Sequence, residues 1–359
     1  MAEVRLDHVV KKFGSHMAVD DLSLTIADGE FFVLLGPTGA GKTTTLRLIA
    51  GLEKATSGAI HIGGRNVAEV SVAERDVALV FQYYSLYPRY TVRENLAFPL
   101  KSPVHSYSAA EIEQRIARAA KMLRIEHLLD RKTDKLSGGE MQRVSIGRAI
   151  VREPHVFLMD EPLSNLDAKL REALRAELKD LQMSLRATFL FVTHDQIEAM
   201  SMGDKVGVLN DGKIMQIGTP HEIYNRPRDT FVASFVGSPA MNLLPAEIAG
   251  NRINVPGGFE LPLDDAGRQR VASGDGPITI GIRSEDIAVG NGGTAQARVH
   301  HIENHGVEKI VTLRAGGTLF KATVPAVSQY KLEDEVRFAF NQERLHGFDP
   351  ASGTSRAFA

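Results

Sequence analysis

Short, unbroken apolar runs alternate with longer stretches of helical period through the first two thirds of the chain. EFFVLLG (30–36), VALVFQ (77–82), HVFLMD (155–160) and TFLFVT (188–193) read as buried strands. The residues between them read as helices: 43–52 with Gly51 near its end, 109–123, a segment opening at LSGG (136–139), and 167–185. In the last of these, Leu170, Leu174, Leu178, Leu181 and Leu185 recur at helical spacing and are a core-packing stripe. Strand and helix in alternation predict an α/β domain around a mostly parallel sheet over residues 1–236. After VGSPAMNLLP (236–245) the texture changes to Gly- and Pro-rich turns between alternating runs, PITIGIR, EKIVTLRA, TLFKATV and EVRFAF, two of which flank Gly316-Gly317 as in a tight hairpin. This predicts a second domain over 237–359, a small antiparallel barrel or sandwich.

Composition narrows the chemistry. A formal charge of −2 argues against a protein devoted to neutralising a nucleic-acid backbone. With no cysteine, disulfides, thiolate catalysis and thiolate-bound metals are excluded. The opening MAEVRLDHVVKKF is charged where a signal peptide is apolar, and no run approaches the ~18 apolar residues of a membrane span. Both point to a cytosolic chain that reaches a membrane only through partners.

GPTGAGKTT (36–44) fits the phosphate-binding loop pattern, Gly, four free positions, then Gly-Lys-Ser/Thr, and lies between a predicted strand and a predicted helix. Its glycines let successive N–H groups turn inward onto phosphate oxygens, Lys42 adds charge, and the Thr43 hydroxyl suits Mg²⁺. The strand HVFLMD delivers Asp160 and Glu161 to its carboxyl end, where ligands gather in open α/β sheets. A strand can end in acids merely because it surfaces. Beside a phosphate loop, Asp160 reads as a Mg²⁺ ligand and Glu161 as the base that orients and deprotonates water. TFLFVT delivers His194 to the same edge, within reach of a γ-phosphate. Ser137 and Glu140 form a capping box, which accounts for a well-made helix start but not for Gly138-Gly139, since glycine inside a helix costs about 1 kcal/mol relative to alanine. Paired glycines there point to close approach of a ligand.

Taken together and in order, GPTGAGKTT, Gln82 in VFQYYSLYP, LSGGE, FLMDEP, SNLD and VTHD resemble the ATP-binding cassette (ABC) ATPases. The resemblance implies a P-loop NTPase cassette with an antiparallel β subdomain and a helical signature subdomain, binding ATP and Mg²⁺. It implies a head-to-tail homodimer in which the loop Gly36, Pro37, Thr38, Gly39, Ala40, Gly41, Lys42, Thr43 and Thr44 of one subunit faces Ser137, Gly138, Gly139 and Glu140 of the other. Phe13 matches the aromatic that stacks on adenine. Gln82 matches the glutamine that senses Mg²⁺ and the attacking water and connects to membrane subunits. Asp167 matches the acid that signals between the two sites. The aromatic run YYSLYPRY (83–90) is divided between core packing and a docking surface for a partner helix. Glu140 stands where the family more commonly has Gln.

GSPAMN (237–242), GIRSEDI (281–287) and RLHGFDPASG (344–353) resemble the all-β, OB-like regulatory domain of the ATPase subunits of carbohydrate importers of the maltose and glycerol-phosphate type. Such a subunit is expected at the cytoplasmic face of a bacterial inner membrane, peripheral, with two permeases docking near residues 82–90 and, indirectly, an extracytoplasmic solute-binding protein. Polyamine, iron or sulfate importers are the alternative. DNA-repair cassettes carry a long coiled-coil insertion and translation factors carry two cassettes, whereas only one set of motifs stands here. A P-loop kinase would lack LSGG.

Overall fold

The computed structural model describes residues 2–102, 107–271 and 274–358. Its internal contacts divide it into two compact units, the first ending at Pro220 and the second beginning at His221. The change in sequence texture at residue 237 therefore falls inside the second unit, after two short helices.

The first unit opens with two long strands, β1 (Val4–Phe13) and β2 (His16–Ile26). Then follow β3 (Phe31–Leu35), α1 (Lys42–Ala50), β4 (Ser57–Ile62), β5 (Arg65–Asn66) and β6 (Val77–Val80). A helical stretch comes next, α2 (Val92–Ala97), α3 (Ala109–Met122) and α4 (Gly138–Ile150). The unit closes with β7 (Val156–Asp160), α5 (Ala168–Leu185), β8 (Thr188–Thr193), α6 (Gln196–Met202), β9 (Lys205–Asn210) and β10 (Lys213–Gly218). One sheet has the order β10-β9-β3-β8-β7-β6, parallel except for β10. Every residue of β3, β7 and β8 is buried, as strands covered on both faces must be, and this is why each reads as an unbroken apolar run. A second sheet, β2-β1-β4-β5, is antiparallel and half exposed.

The sheet order decides where the chemistry collects. Strand β3 pairs with β8 so that Leu35 lies opposite Thr193, and β7 pairs with β8 so that Asp160 lies opposite Val192. The residues that leave these strands, Gly36, His194 and Glu161, therefore emerge side by side at one carboxyl edge. Helices α2, α3 and α4 each begin with a capping box, Thr91 with Glu94, Ser108 with Glu111 and Ser137 with Glu140. In α5 the predicted stripe is buried at Leu174, Leu178 and Leu181 and half-buried at its ends, Leu170 and Leu185.

The second unit starts with α7 (Pro220–Asn225) and α8 (Thr230–Phe235). The strands β11 (Asn242–Ala249), β12 (Arg252–Val255) and β13 (Phe259–Pro262) precede α9 (Asp265–Val271). After it come β14 (Gly276–Ile282), β15 (Ile287–Val289), β16 (Ala295–Asn304), β17 (Glu308–Ala315), β18 (Thr318–Pro325), β19 (Glu335–Phe340) and β20 (His346–Phe348). They form two antiparallel sheets, β13-β12-β11-β14-β20 and β15-β19-β16-β17-β18, closed over one apolar core in which Phe259, Phe320, Phe338 and Phe340 pack ring against ring. The predicted hairpin is present: Ala315 pairs with Thr318 across Gly316-Gly317.

A buried arginine fastens the far end of α1. Arg75 is 8% exposed, and its guanidinium donates to four main-chain carbonyls: Leu48 and Ile49 at 2.9 Å each, Val67 at 2.8 Å and Val70 at 3.1 Å. Gly51, with φ 79°, ends the helix there, and a Cβ on it would meet the Arg75 guanidinium at 2.6 Å. Removing the guanidinium leaves buried carbonyls short of donors. Arg75→Met is expected to destabilise the first unit by about 3 kcal/mol in a denaturant titration, with Gly51→Ala also destabilising.

Candidate functional site

A cavity of about 500 Å³ opens at the carboxyl edge of the parallel sheet. Its walls include Thr38, Gly39, Gly41, Lys42, Thr43 and Thr44 from the loop and start of α1, with Gln82, Glu161 and His194 from the ends of three other strands. The glycines of the loop have separate reasons. A Cβ on Gly36 would run into the Leu209 carbonyl and one on Gly41 into the Ala18 carbonyl, while Gly39, with φ 85°, has open space beside it. Gly41 itself sits at φ 102° as the residue before α1, so the first helical N–H groups face the cavity with no side chain over them.

The charged groups of the edge are paired with one another. The Lys42 ammonium is 5% exposed and donates to the carbonyls of Gly36 and Pro37 at 3.0 Å each, while Glu161 Oε1 lies 3.6 Å away. The other oxygen of Glu161 lies 2.8 Å from His194 Nδ1. Burial pushes the Lys42 pKa down, against the opposing pull of Glu161 and Asp160. Glu161 has φ 43°, in the left-handed region uncommon for a residue with a side chain. That turn is held by its N–H on the Val192 carbonyl at 3.0 Å, and by its own carbonyl, which accepts from the N–H of Ser164 at 3.2 Å and from the Ser164 hydroxyl at 2.9 Å. The kink sends Asp160 and Glu161 to different partners.

Asp160 is buried beneath the loop and accepts from the Thr43 hydroxyl at 2.8 Å. Burial raises its pKa, with the neighbouring Glu161 adding to the shift. One buried carboxylate and one hydroxyl are hard oxygen donors beside a phosphate loop, a pair whose chemistry suits Mg²⁺. No cluster of three or more acidic or histidine side chains suited to a metal occurs among the described residues. Gln82 donates to the Ser164 hydroxyl at 3.3 Å, and its carbonyl accepts from Asn165 at 2.9 Å, so it is tied to the loop that follows Glu161.

Other predicted residues lie elsewhere in the unit. Phe13 ends β1, is exposed, and carries the Lys11 ammonium 4.5 Å from its ring centroid. It pairs across the turn with His16, which lines the cavity together with Ala18. Those two residues went unread in the sequence because neither belongs to a phosphate-binding pattern. Asp167 caps α5, accepting from the Leu170 N–H at 3.0 Å. Gly36, Pro37, Ala40, Asp160, Ser137, Gly138, Gly139, Glu140 and Asp167 do not line the cavity.

The signature segment forms the start of α4. Glu140 accepts from the Ser137 N–H at 2.7 Å and from the Ser137 hydroxyl at 2.9 Å, and its other oxygen lies 3.7 Å from Arg131. The backbone hydrogen bond from Ser137 is the main cause of a lowered Glu140 pKa. The chain itself supplies a reason for one of the paired glycines: a Cβ on Gly139 would meet the Leu170 side chain at 2.5 Å, so α5 packs where the side chain would be. Gly138 has more room, its nearest neighbour being the Tyr84 hydroxyl at 3.2 Å from such a Cβ. The aromatic run divides: Tyr84 and Tyr87 are half-buried, Tyr87 against Phe98 at 4.4 Å, while Tyr83 is 74% exposed and Phe81, Tyr90 and Phe98 are also exposed.

Comparison with known proteins accords with this geometry. The ABC transporter family model matches residues 19–164, a MalK OB fold domain 237–287 and a TOBE domain 280–348. The trehalose/maltose import ATP-binding protein MalK of Thermococcus litoralis is 46% identical over 98% of this chain and 99% of its own. The xylose/arabinose import ATP-binding protein XacK of Haloferax volcanii is also 46% identical, over 98% of this chain and 95% of its own. Among solved structures, a dimeric ATP-binding cassette in a post-hydrolysis state with ADP and Pi superposes on 60% of this chain and 98% of its own, at 32% identity and a TM-score of 0.54. This chain belongs to the ABC transporter family, as an ATP-binding, ATP-hydrolysing import subunit.

Proposed function

We propose that this protein works as a head-to-tail homodimer that hydrolyses Mg-ATP and couples the reaction to import of a carbohydrate-type solute through two membrane permeases. It would do so at the cytoplasmic face of the membrane, with an extracytoplasmic binding protein delivering the solute. Functionally, the ATPase domain would span 1–236 and an OB-like regulatory domain 237–359. Among the described residues no helix is long and apolar enough to cross a membrane. The observation that carries the catalytic reading is the Glu161 carboxylate between Lys42 and His194 at the mouth of the phosphate loop. Full-length relatives that import trehalose, maltose, xylose and arabinose support the carbohydrate reading over polyamine, iron or sulfate.

The chain's own groups suffice to describe the steps. Incoming β- and γ-phosphates offer Lys42 better acceptors than the carbonyls of Gly36 and Pro37, and offer His194 an alternative to Glu161. When Lys42 and His194 both leave Glu161, its carboxylate is free to accept a proton from the attacking water. Thr43, Asp160 and Gln82 would hold Mg²⁺, which supplies charge neutralisation at the phosphates. Phe13 and His16 border the adenine side, and Asp167, at the start of α5, faces the second subunit. The exposed Phe81 and the half-buried Tyr84 line a cleft of about 140 Å³ together with Ser145, Arg148 and Ala149 of α4, a fitting seat for a permease helix.

Glu161→Gln is expected to lower ATP hydrolysis by about 10²-fold or more while ATP binding persists, read by single-turnover phosphate release and nucleotide binding side by side. Wild-type turnover in that variant would remove Glu161 from the mechanism. In the complex reconstituted with its permeases, a carbohydrate presented on its binding protein is expected to stimulate ATPase activity, and stimulation by a polyamine, iron or sulfate instead would reassign the solute class.

The signature end makes a separate prediction. The Ser137 hydroxyl donates to its own Glu140 and must let go to donate to a partner's γ-phosphate, which the Glu140 carboxylate also repels. Glu140→Gln, made on Glu161→Gln, is expected to lower the ATP concentration for half-maximal dimerisation several-fold, with the gain shrinking as salt screens the charges. An unchanged midpoint would mean that Arg131 already neutralises the carboxylate.

A further inference from the structure

Arg171 stands one turn into α5 and does not line the nucleotide cavity. A cation so near a helix N-terminus works against the helix dipole, so the helix itself gives no reason for it. One amino group of the guanidinium donates to the carbonyl of Leu166 at 3.0 Å and to that of Ser164 at 3.5 Å, both in the loop that follows Glu161. The other lies 3.4 Å from Oδ2 of Asp195, the residue after His194. Nε is buried without a hydrogen-bond partner, with Glu198 Oε1 3.9 Å away.

The two loops it touches carry the reacting groups. On one side the N–H and hydroxyl of Ser164 hold the Glu161 carbonyl, and the same hydroxyl is the partner of Gln82. On the other, His194 is fixed from both flanks. The Thr193 hydroxyl donates to Glu198 at 2.6 Å and accepts from the Asp195 N–H at 2.9 Å, while Asp195 Oδ1 caps α6 by accepting from the N–H groups of Ile197 and Glu198. Glu198 is 2% exposed, and burial pushes its pKa up against the pull of the Thr193 hydroxyl and of Arg171. Both acids that order the His194 loop therefore lie beside Arg171.

We propose that Arg171 is a positioning residue for hydrolysis: its guanidinium bridges the loop of Glu161 to the loop of His194 and sets the distance between those two side chains. The proposal rests on the roles given above to Glu161 and His194. A planar fork suits the task, since its donors diverge toward two loops at fixed angles where an ammonium would serve one. The fork is also incompletely bound. Of the acceptors around it only the Leu166 carbonyl lies at 3.0 Å, the others at 3.4 to 3.9 Å, and a buried N–H without a partner favours the arrangement that pairs it. A movement of the His194 loop toward α5 by about 1 Å brings Glu198 onto Nε. Release of His194 from Glu161 gives the loop that freedom, so the bridge tightens as the site fills.

The test uses the full-length protein, with ATP hydrolysis measured at steady state and the histidine imidazoles labelled for NMR. Arg171→Gln is expected to lower kcat about tenfold with the KM for ATP unchanged, the mark of lost positioning and not of lost binding. Asp195→Asn keeps one oxygen for the α6 cap and replaces the oxygen that faces Arg171, so it cuts the same bridge should Arg171→Gln fail to fold, and it is expected to match that loss. Where both fold, the double variant is expected to be no slower than either single one. Arg171→Lys is expected to recover little, because an ammonium meets one loop and not both. The His194 resonance, assigned by its loss in His194→Ala, is expected to move in Arg171→Gln and Asp195→Asn without nucleotide, while that of His16, which lines the cavity from β2, stays in place. Wild-type turnover in His194→Ala would remove His194 from the catalytic reading, and the bridge would still stand or fall on that resonance. An unmoved His194 resonance, additive losses in the double variant, full rescue by Arg171→Lys, or a raised KM with kcat unchanged would overturn the proposal.

Discussion

A single carboxylate between an ammonium and an imidazole organises the nucleotide-binding unit. Lys42 is almost fully buried, and an ammonium in that position needs both acceptors and countercharge. Two carbonyls supply the first and Glu161 the second. Glu161 can reach Lys42 and His194 together only because its backbone takes a left-handed turn at the end of β7. Asp160, one residue earlier, is thereby left to Thr43. Two adjacent acids would repel if they faced the same way; the turn gives each its own partner.

That turn depends on the sheet beneath it. The Glu161 N–H bonds the Val192 carbonyl, and Val192 lies opposite Asp160 in the pairing of β7 with β8. A shift of one residue between these strands would reverse the facing of every side chain along them, and the fully buried apolar surfaces of β3, β7 and β8 hold the register against it. Packing among Phe31, Phe157, Phe189 and Phe191 within the sheet therefore helps set the position of the groups at its carboxyl edge.

Much of this was legible in the sequence, for identifiable reasons. The strands of the parallel sheet announce themselves because burial on both faces demands apolar residues throughout, and α5 shows its stripe because only one face is buried. The residues at the carboxyl edge follow once those strands are placed. The β1–β2 pair was not read from periodicity: its register slips at three points, and His8 and Asp21 adopt positive φ, so strict alternation fails. His16 escaped for the same reason, since only the pairing of Phe13 with His16 brings it to the cavity. Gly139 gave a signal with two sources, because space for Leu170 and space for a ligand leave the same glycine in the sequence.

Groups at both ends of this machinery hold partners within the chain. Lys42 rests on Gly36 and Pro37, Thr43 on Asp160, His194 on Glu161, Gln82 on Ser164, and Ser137 on Glu140. Under the proposed mechanism ATP binding exchanges hydrogen bonds at these positions, and its net free energy is a small difference between large terms. Each exchange also releases a tie. Gln82 leaving Ser164 frees the segment after Val80 from the loop that follows Glu161, and Ser137 leaving Glu140 frees the start of α4. The first of these segments carries the exposed Tyr83, and the second has the Tyr84 hydroxyl beside Gly138. A site built on exchange transmits occupancy to that surface through the bonds it gives up, with no change required in the buried sheet.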